Sequence, residues 1–310
     1  MFVSERRRGV LFSVCGALCS AIYLFPYKRA AERAPAGILA FALLLVAALL
    51  SSLLWLWQRR LAPPSAPDVA LKTPRSVLWR TALMLSVITI TGNLCGAQAV
   101  ALLEPAMTSV LLRTEVVFVG VLGALLLGEP VTRPLALGAA LALLGLAVMN
   151  WPLVLGSLPG AAWSLGAAAS FGSMQVLTRR VITQVSPTSV NMLRLWLAVA
   201  LMACVPHTLA RLLEQDARFW WFVAGAAAFG PFAGRLLIMH SLRGLRAAQS
   251  ALLLLLAPLF AFVLGYLFRG SVPSPQQALG SAMMLAGIAL PLASASAASL
   301  RRSLSDDVIS

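Results

Sequence analysis

Four ionisable side chains of this sequence lie inside long apolar stretches, where a charge is costly. They are Arg113, Glu115, Arg194 and Arg235. On insertion scales a charge at the centre of a membrane-spanning helix costs about 2.5–3.5 kcal/mol, so it is retained where it faces a cavity or a partner. We therefore expect these side chains to line a solvated pocket. Interhelical hydrogen bonding is the alternative role.

Arg113 and Glu115 are two residues apart, about 200° around a helix, so they point in nearly opposite directions and do not pair. Glu115 shares a helix stripe with Thr108, which we expect to face the cavity. There Glu115 would act as a proton carrier or as the counter-ion of a substrate amine. A permanent salt bridge to Arg194 or Arg235 is the competing interpretation.

The sequence contains an internal repeat. A shift of 142 positions places five glycines of one block on five glycines of another: Gly92, Gly123, Gly128, Gly138 and Gly145 on Gly234, Gly265, Gly270, Gly280 and Gly287. Phe118 also falls on Phe260. We interpret the recurrent glycines as close-packing points between helices. If each copy has an odd number of spans, the two copies are inverted relative to one another, as in secondary transporters.

Arg235 follows Gly234 directly and lies one turn after Gly230-Pro231. A Gly-Pro interruption inside a span frees backbone groups, which is typical of a binding site. The repeat aligns Arg235 with Asn93, and His240 with Gln98. These polar residues complete the candidate substrate-binding or coupling set, which contains Glu115, Arg113, Asn93, Gln98, Arg194, Arg235 and His240.

The composition requires a lipid environment for most of the chain. Hydrophobic residues make up 60% of the sequence and charged residues 11%, with a mean hydropathy of +0.89. The net charge of +14 is scattered between apolar runs, which favours a membrane surface and excludes nucleic acid as a partner. The four cysteines have no ligand-like spacing, so no metal or other cofactor is expected.

Ten stretches are long and apolar enough to span a bilayer. They cover residues 8–27, 36–57, 77–99, 104–127, 133–150, 158–178, 187–206, 219–241, 246–268 and 275–295. Glu129 is expected to cap the span that follows it. Most Lys and Arg lie on one side when both termini are cytoplasmic, which sets the orientation in the plasma (bacterial inner) membrane.

These spans predict an all-α integral membrane protein with ten transmembrane helices, arranged as two inverted five-helix repeats. Residues 1–150 form the first repeat and residues 151–298 the second. Residues 299–310 form a short, disordered cytoplasmic tail.

Two motifs of the repeat resemble a known family. Ala106-Met107-Thr108-Ser109 opens a helix that closes on Leu125-Leu126-Leu127-Gly128-Glu129, and the second copy carries Ala257-Pro258-Leu259-Phe260. With ten spans and a duplication, the chain resembles the drug/metabolite transporter superfamily in its EamA-type ten-helix branch. The resemblance implies a central cavity lined by the first, third and fourth helices of each copy, and alternating access for a small solute.

The predicted function is secondary active transport, as an exporter, of a small metabolite, an amino-acid-like compound or a drug, with protons as the coupling ion. Three intramembrane Arg against one Glu favour an anionic solute. An organic-phosphate or nucleotide-sugar exchanger is the alternative transport function, and an integral membrane enzyme or a receptor the alternative class. No catalytic constellation is present among two His and ten acidic residues, so no enzyme is expected. A homodimer is left open.

Overall fold

The structure is a computed structural model that describes residues 2–61, 74–103, 105–153, 157–269 and 274–309. This part of the chain contains helices and no β-strand. In chain order the α-helices are α1 (Phe2–Ala31), α2 (Ala36–Leu61), α3 (Arg75–Leu102), α4 (Pro105–Arg113), α5 (Glu115–Leu127), α6 (Arg133–Met149), α7 (Leu158–Val181), α8 (Pro187–Ala203), α9 (Thr208–Leu213), α10 (Ala217–Ala227), α11 (Arg235–Gly244), α12 (Ala247–Leu254), α13 (Leu256–Arg269) and α14 (Pro275–Ile309). A π-helical segment, Ala228–Gly234, joins α10 to α11.

Six helical segments of the described chain have the length and apolarity to cross a membrane. They are Glu5–Ala31, Ala36–Leu61, Arg75–Leu102, Met107–Leu127, Ala217–Gly244 and Ala247–Leu267. The shorter apolar helices are α6 and α8, and the predicted spans 158–178 and 275–295 fall within α7 and α14. Every predicted span thus overlaps a helix, and the all-helical fold class is confirmed.

The predicted spans 104–127 and 246–268 are each interrupted near the middle. Thr114 (φ −61°, ψ −7°) separates α4 from α5, and Leu255 (φ −64°, ψ −12°) separates α12 from α13. At each position the backbone N–H bonds three residues back, to Leu111 and Leu252, in the tighter 3₁₀ manner. These interruptions were not predicted, and they fall within one residue of equivalent positions in the repeat, since Thr114 aligns with Leu256.

The predicted Gly-Pro interruption is confirmed as the π-helical segment. Pro231 lies within it, and at its end the Arg235 N–H donates to the carbonyls of Gly230 and Phe232. Proline has no N–H to donate, so the α-helical ladder lacks one hydrogen bond at this position.

The first half (α1–α6) and the second half (α7–α14) contact each other reciprocally: in the main contacts, where a helix of the first half packs on a helix of the second, the equivalent two helices with the halves exchanged also pack. The third span of the first half, α3, packs on α7, the first helix of the second half; conversely, α1 packs on α10, the π segment and α11. Likewise α5 packs on α7, and α13 on α1. The equivalent helices α2 and α8, and α6 and α14, pack on each other. Such exchange of equivalent surfaces is the property of a two-fold contact.

The repeated glycines form the contact between α6 and α14. Gly138 lies against Gly287, and Gly145 against Gly280, so the two helices run antiparallel. A Cβ atom at Gly145 would lie 2.5 Å from the Gly280 carbonyl oxygen, and a Cβ atom at Gly280 would lie 2.5 Å from that of Gly145. Here the predicted close-packing role is confirmed, because only glycine lets these backbones approach so closely.

Glu129 caps a helix of the other half, so the expectation that it caps the next span was wrong. Its carboxylate accepts a hydrogen bond from the backbone N–H of Ala247, at the start of α12, at 3.0 Å. The same carboxylate pairs with Arg179 Nε at 3.4 Å. Gly128 ends α5 with φ 64°, and this left-handed turn brings Glu129 against α7 and α12, whereas Thr132 precedes α6.

The carboxyl-terminal tail also differs from the sequence prediction. α14 continues to Ile309, so residues 299–309 are helical and the expected disorder is not found.

We expect Gly145→Ala to destabilise the protein by about 1–3 kcal/mol, since the new methyl group overpacks the α6–α14 contact. Thermal unfolding in detergent micelles measures this. Gly120→Ala is the matched control, because a Cβ at Gly120 meets nothing within 4 Å. Equal melting temperatures for the two variants would contradict the packing role.

Candidate functional site

One face of α7 contacts three of the four ionisable side chains predicted from the sequence. The contact residues Phe171, Met174 and Gln175 share this face because they are spaced i, i+3 and i+4. The contacts are Arg235 Cζ at 5.8 Å from the Phe171 ring centroid, Arg194 Nη1 at 3.8 Å from Met174 Sδ, and Gln175 Nε2 at 3.3 Å from Glu115 Oε1. α7 therefore positions the centre of the candidate site.

This role explains why α7 is more polar than the six apolar segments. It packs against α3, α4, α5, α11 and α12, and its polar residues include Ser164 and Gln175, both buried. A helix surrounded by protein can keep polar groups that would be costly against lipid.

Glu115 is buried, with 8% of its surface exposed, and is the first residue of α5 after the break at Thr114. Its recorded hydrogen-bond partner is Gln175. Within the described chain no Lys or Arg nitrogen lies within 4.0 Å of a Glu115 carboxylate oxygen. The predicted alternative, a permanent salt bridge to Arg194 or Arg235, is therefore not formed.

Arg113 and Arg235 are the cations that act electrostatically on Glu115. Both are partly buried, and Arg113 ends α4 without forming an ion pair to Glu115. Arg235 begins α11, directly after the π segment, and its guanidinium lies over the Phe171 ring in a cation–π arrangement. Gly92 makes room for that ring, since a Cβ there would lie 2.9 Å from it.

Arg194 is 1% exposed, and each of its guanidinium nitrogens has a protein acceptor. Nε and Nη2 donate to Asn191 Oδ1 at 3.1 and 2.7 Å, Nη1 donates to Thr89 Oγ1 at 2.7 Å, and Nη2 reaches the Pro231 carbonyl at 3.5 Å. Asn191 in turn donates to Ser51 Oγ at 3.0 Å. Arg194 therefore has the alternative role, interhelical hydrogen bonding, rather than cavity lining.

For the remaining three predicted residues, no hydrogen bond or ring contact to Glu115, Arg113, Arg194 or Arg235 is recorded in the described chain. Asn93 donates from Nδ2 to the Thr89 carbonyl of its own helix at 2.8 Å. The His240 ring lies 5.4 Å from that of Phe12, at an interplanar angle of 37°. Gln98 is exposed further along α3.

Sequence reasoning missed the residues that partner the charges. Gln175, Thr89 and Asn191 are buried and hydrogen-bonded to Glu115 or Arg194. The available signal was a polar amide or hydroxyl inside an apolar span, which needs a partner as a charge does.

Two cavities lie outside this centre. One of about 390 Å³ is lined by apolar and hydroxyl side chains of α3, α5 and α7, including Ile88, Leu122 and Ser173. The other, of about 410 Å³, lies beside Glu129, Arg179 and Arg246. Neither is lined by any of the seven predicted site residues.

These features define a multi-pass helical membrane protein with buried polar groups between the two halves of one chain. The EamA-like transporter family matches residues 7–151 and residues 158–292. The chain belongs to this family, as its sequence resemblance predicted, and is a transporter rather than an enzyme.

A named relative is also a transporter, and a solved structure shares the fold. The riboflavin transporter ImpX of Fusobacterium nucleatum subsp. nucleatum is 26% identical over 214 residues, covering 64% of this chain and 70% of that protein. A crystal structure of a protein that is 18% identical matches with a TM-score of 0.69 over 91% of this chain and 96% of that one. The second likeness establishes the fold alone.

We expect Arg194→Met to be strongly destabilising, because it leaves Asn191, Thr89 and the Pro231 carbonyl without their donor. Each buried group left unpaired costs about 1–3 kcal/mol. The yield of monodisperse protein and its melting temperature measure the effect. Arg60→Met, at an exposed position near the end of α2, is the matched control, and equal stability of the two variants would contradict the structural role.

Proposed function

We propose that this protein is a secondary active transporter that moves a small metabolite, an amino-acid-like compound or a drug by alternating access, as an exporter. The observation that carries the proposal is the buried Glu115, which meets Gln175 where α5 packs on α7 and lies in the field of Arg113 and Arg235. A carboxyl group in this position can exchange a proton or bind a cationic group of the solute.

We assign the transporter ten spans in two inverted five-helix repeats, residues 1–150 and 151–298. The exchanged helix contacts support this assignment. So does the antiparallel pairing of α6 with α14 through repeated glycines, because equivalent helices that run antiparallel are related by an axis perpendicular to them. In inverted-repeat transporters the substrate site lies at the repeat interface, beside interrupted helices. The breaks at Thr114, Leu255 and the π segment fit that pattern.

The charges around Glu115 favour a solute with a carboxylate or another anionic group. Arg194 is occupied by protein acceptors, which leaves Arg113 and Arg235 as the cations near Glu115. Two cations and one carboxylate give this region a positive net charge. An anion bound there would restore neutrality in a region where an unpaired charge is costly.

Riboflavin is a second candidate solute, since the relative ImpX carries that name. The Phe171 ring beside Arg235 offers a flat surface for an aromatic solute. An organic phosphate or nucleotide sugar is the alternative that Arg113 and Arg235 would also suit. Reconstitution into liposomes with amino acids, riboflavin and organic phosphates, with and without a proton gradient, separates these solutes. Transport of none of them above protein-free liposomes would contradict the proposal.

We place the protein in the plasma (bacterial inner) membrane with both termini in the cytoplasm, because most Lys and Arg then lie inside. Its partners are the solute, the lipid bilayer and protons, and a homodimer is compatible with this arrangement. Cysteine labelling of the two ends in intact cells tests the orientation, and labelling of either end from outside would contradict it.

We expect Glu115→Gln to abolish solute flux driven by a pH gradient while leaving the protein folded in the membrane, because the amide cannot carry a proton. Flux into liposomes with a set internal pH measures this. Glu214→Gln, at an exposed loop position, is the control. Coupling that survives in Glu115→Gln would rule out the carrier role.

Arg235→Gln is expected to raise the apparent KM for an anionic solute by about tenfold or more, because one charge-assisted hydrogen bond is lost. The exposed Arg218 provides the matched control, Arg218→Gln. Concentration dependence of flux measures the change. An unaltered KM would remove Arg235 from the binding site.

A further inference from the structure

One buried atom beside Glu115 has no hydrogen-bond partner in the described chain. The Gln175 side chain is 1% exposed. Its Nε2 donates to Glu115 Oε1 at 3.3 Å, whereas its carbonyl oxygen Oε1 accepts no hydrogen bond. Buried carbonyls are nearly always paired because an unpaired one is destabilising, so this atom requires a physical explanation.

The two polar atoms of Gln175 belong to one terminal amide. A half-turn about the Cγ–Cδ bond exchanges Nε2 and Oε1, and this torsion is broad and roughly two-fold, so both orientations are accessible. The amide can therefore present either a donor or an acceptor to the same neighbour without moving α7.

The required orientation depends on the protonation of Glu115. An ionised carboxylate only accepts hydrogen bonds, so it needs the N–H of Gln175, which is the arrangement observed. A protonated carboxyl has one O–H to donate, and this O–H needs an acceptor, while its carbonyl oxygen can still accept a hydrogen bond. After a half-turn, Gln175 Oε1 accepts that O–H and the unpaired carbonyl gains its partner.

We propose that Gln175 is a positioning residue for proton coupling, whose amide turns over when Glu115 gains a proton and returns when the proton leaves. This inference rests on the proposed role of Glu115 as the proton carrier. It explains both the buried position of the amide and its unpaired oxygen, which a purely structural hydrogen bond to Glu115 would not require.

The charges around this pair are few. Arg113 from α4 and Arg235 from α11 act on Glu115. α12, which packs on α5, contains no charged residue. α7 contributes Arg179, which is paired with Glu129, and the exposed Arg180. The amide of Gln175 is thus the recorded neutral group that bonds directly to the carboxyl.

Gln175 also lies next to Met174 and one turn from Phe171, the residues that contact Arg194 and Arg235. A change at the amide therefore occurs on the helix face that contacts both arginines. This placement lets protonation of Glu115 on α5 influence the surroundings of Arg194 on α8 and of Arg235 on α11.

Infrared difference spectroscopy of the full-length protein in lipid, recorded between high and low pH, tests the proposal. In the wild type we expect the carboxylic acid band of Glu115 together with a shift of a glutamine side-chain carbonyl band. Labelling the glutamine side-chain carbonyls with ¹³C identifies the second band. Both signals should vanish in Glu115→Gln.

In Gln175→Leu the acid band of Glu115 should remain but move to higher frequency, because the O–H has lost its acceptor. The share of flux driven by a pH gradient should fall about tenfold, the change that one charge-assisted hydrogen bond supports. Ser173→Ala is the matched control on α7, because the recorded hydrogen bond of Ser173 in the described chain goes to the Ala169 carbonyl of its own helix. It should retain the wild-type spectrum and coupling.

The outcomes separate this inference from the proposed function. If Glu115→Gln keeps the acid band and the coupling, Glu115 is not the carrier and both proposals fail. If Glu115→Gln loses them while Gln175→Leu matches the wild type, Gln175 has no coupling role and this inference alone fails. Should Gln175→Leu not fold, the labelled wild type still decides, since an acid band without an accompanying glutamine shift overturns the inference.

Discussion

The arrangement of the bundle depends on the hydrogen bonds of the buried Arg194 guanidinium. Within α8 it bonds to Asn191, and through Thr89, Met174, the Pro231 carbonyl and the Asn191–Ser51 contact it joins α3, α7, the π segment and α2. All its recorded acceptors are neutral, so the cation is held by dipoles rather than by a carboxylate. Such a buried charge is tolerated only while its acceptors stay in place. Any change that separates these helices must therefore leave its donors or its acceptors unpaired.

This constraint also fixes the neighbouring site. Because Thr89 and Met174 both contact Arg194, α3 and α7 are held in register. Gly92 on α3 then faces the Phe171 ring, and that ring lies under Arg235. On the same face of α7, Gln175 meets Glu115 at the break between α4 and α5. The candidate site is thus positioned by a structural arginine rather than by its own charges, none of which pair directly in the described chain.

The sequence predicted the helices better than it predicted the contacts between side chains of different helices. Each predicted span overlaps a helix, and the glycine repeat predicted close packing between helices, which α6 and α14 show, because apolar length and glycine spacing are local or periodic properties of the sequence. Gly230-Pro231 correctly indicated the interruption before Arg235, since proline removes a backbone donor. The breaks at Thr114 and Leu255 were missed because neither residue disfavours a helix strongly, and tertiary packing sets the backbone there. Apart from Asn191 in the same helix, the partners of Arg194 and Glu129 come from distant elements, so no local pattern contains them.

The scaffold is duplicated, yet its charges are not. At the shift of 142, Glu115 corresponds to Ala257, Arg113 to Leu255 and Arg235 to Asn93. The second spans of the two copies align at a shift of 152, through Pro35 and Pro187, which places Arg194 on Ala42. Ala257, Leu255 and Ala42 are fully or nearly fully buried, and the backbone angles at Thr114 and Leu255 differ by only a few degrees. The same fold therefore forms with an apolar side chain at three of the four equivalent positions of the other copy. Since a buried charge is costly and the fold forms without it in the other copy, the charges are retained for what they hold or bind. Arg194 holds the bundle, and we propose that Glu115, Arg113 and Arg235 are retained for a ligand or a proton.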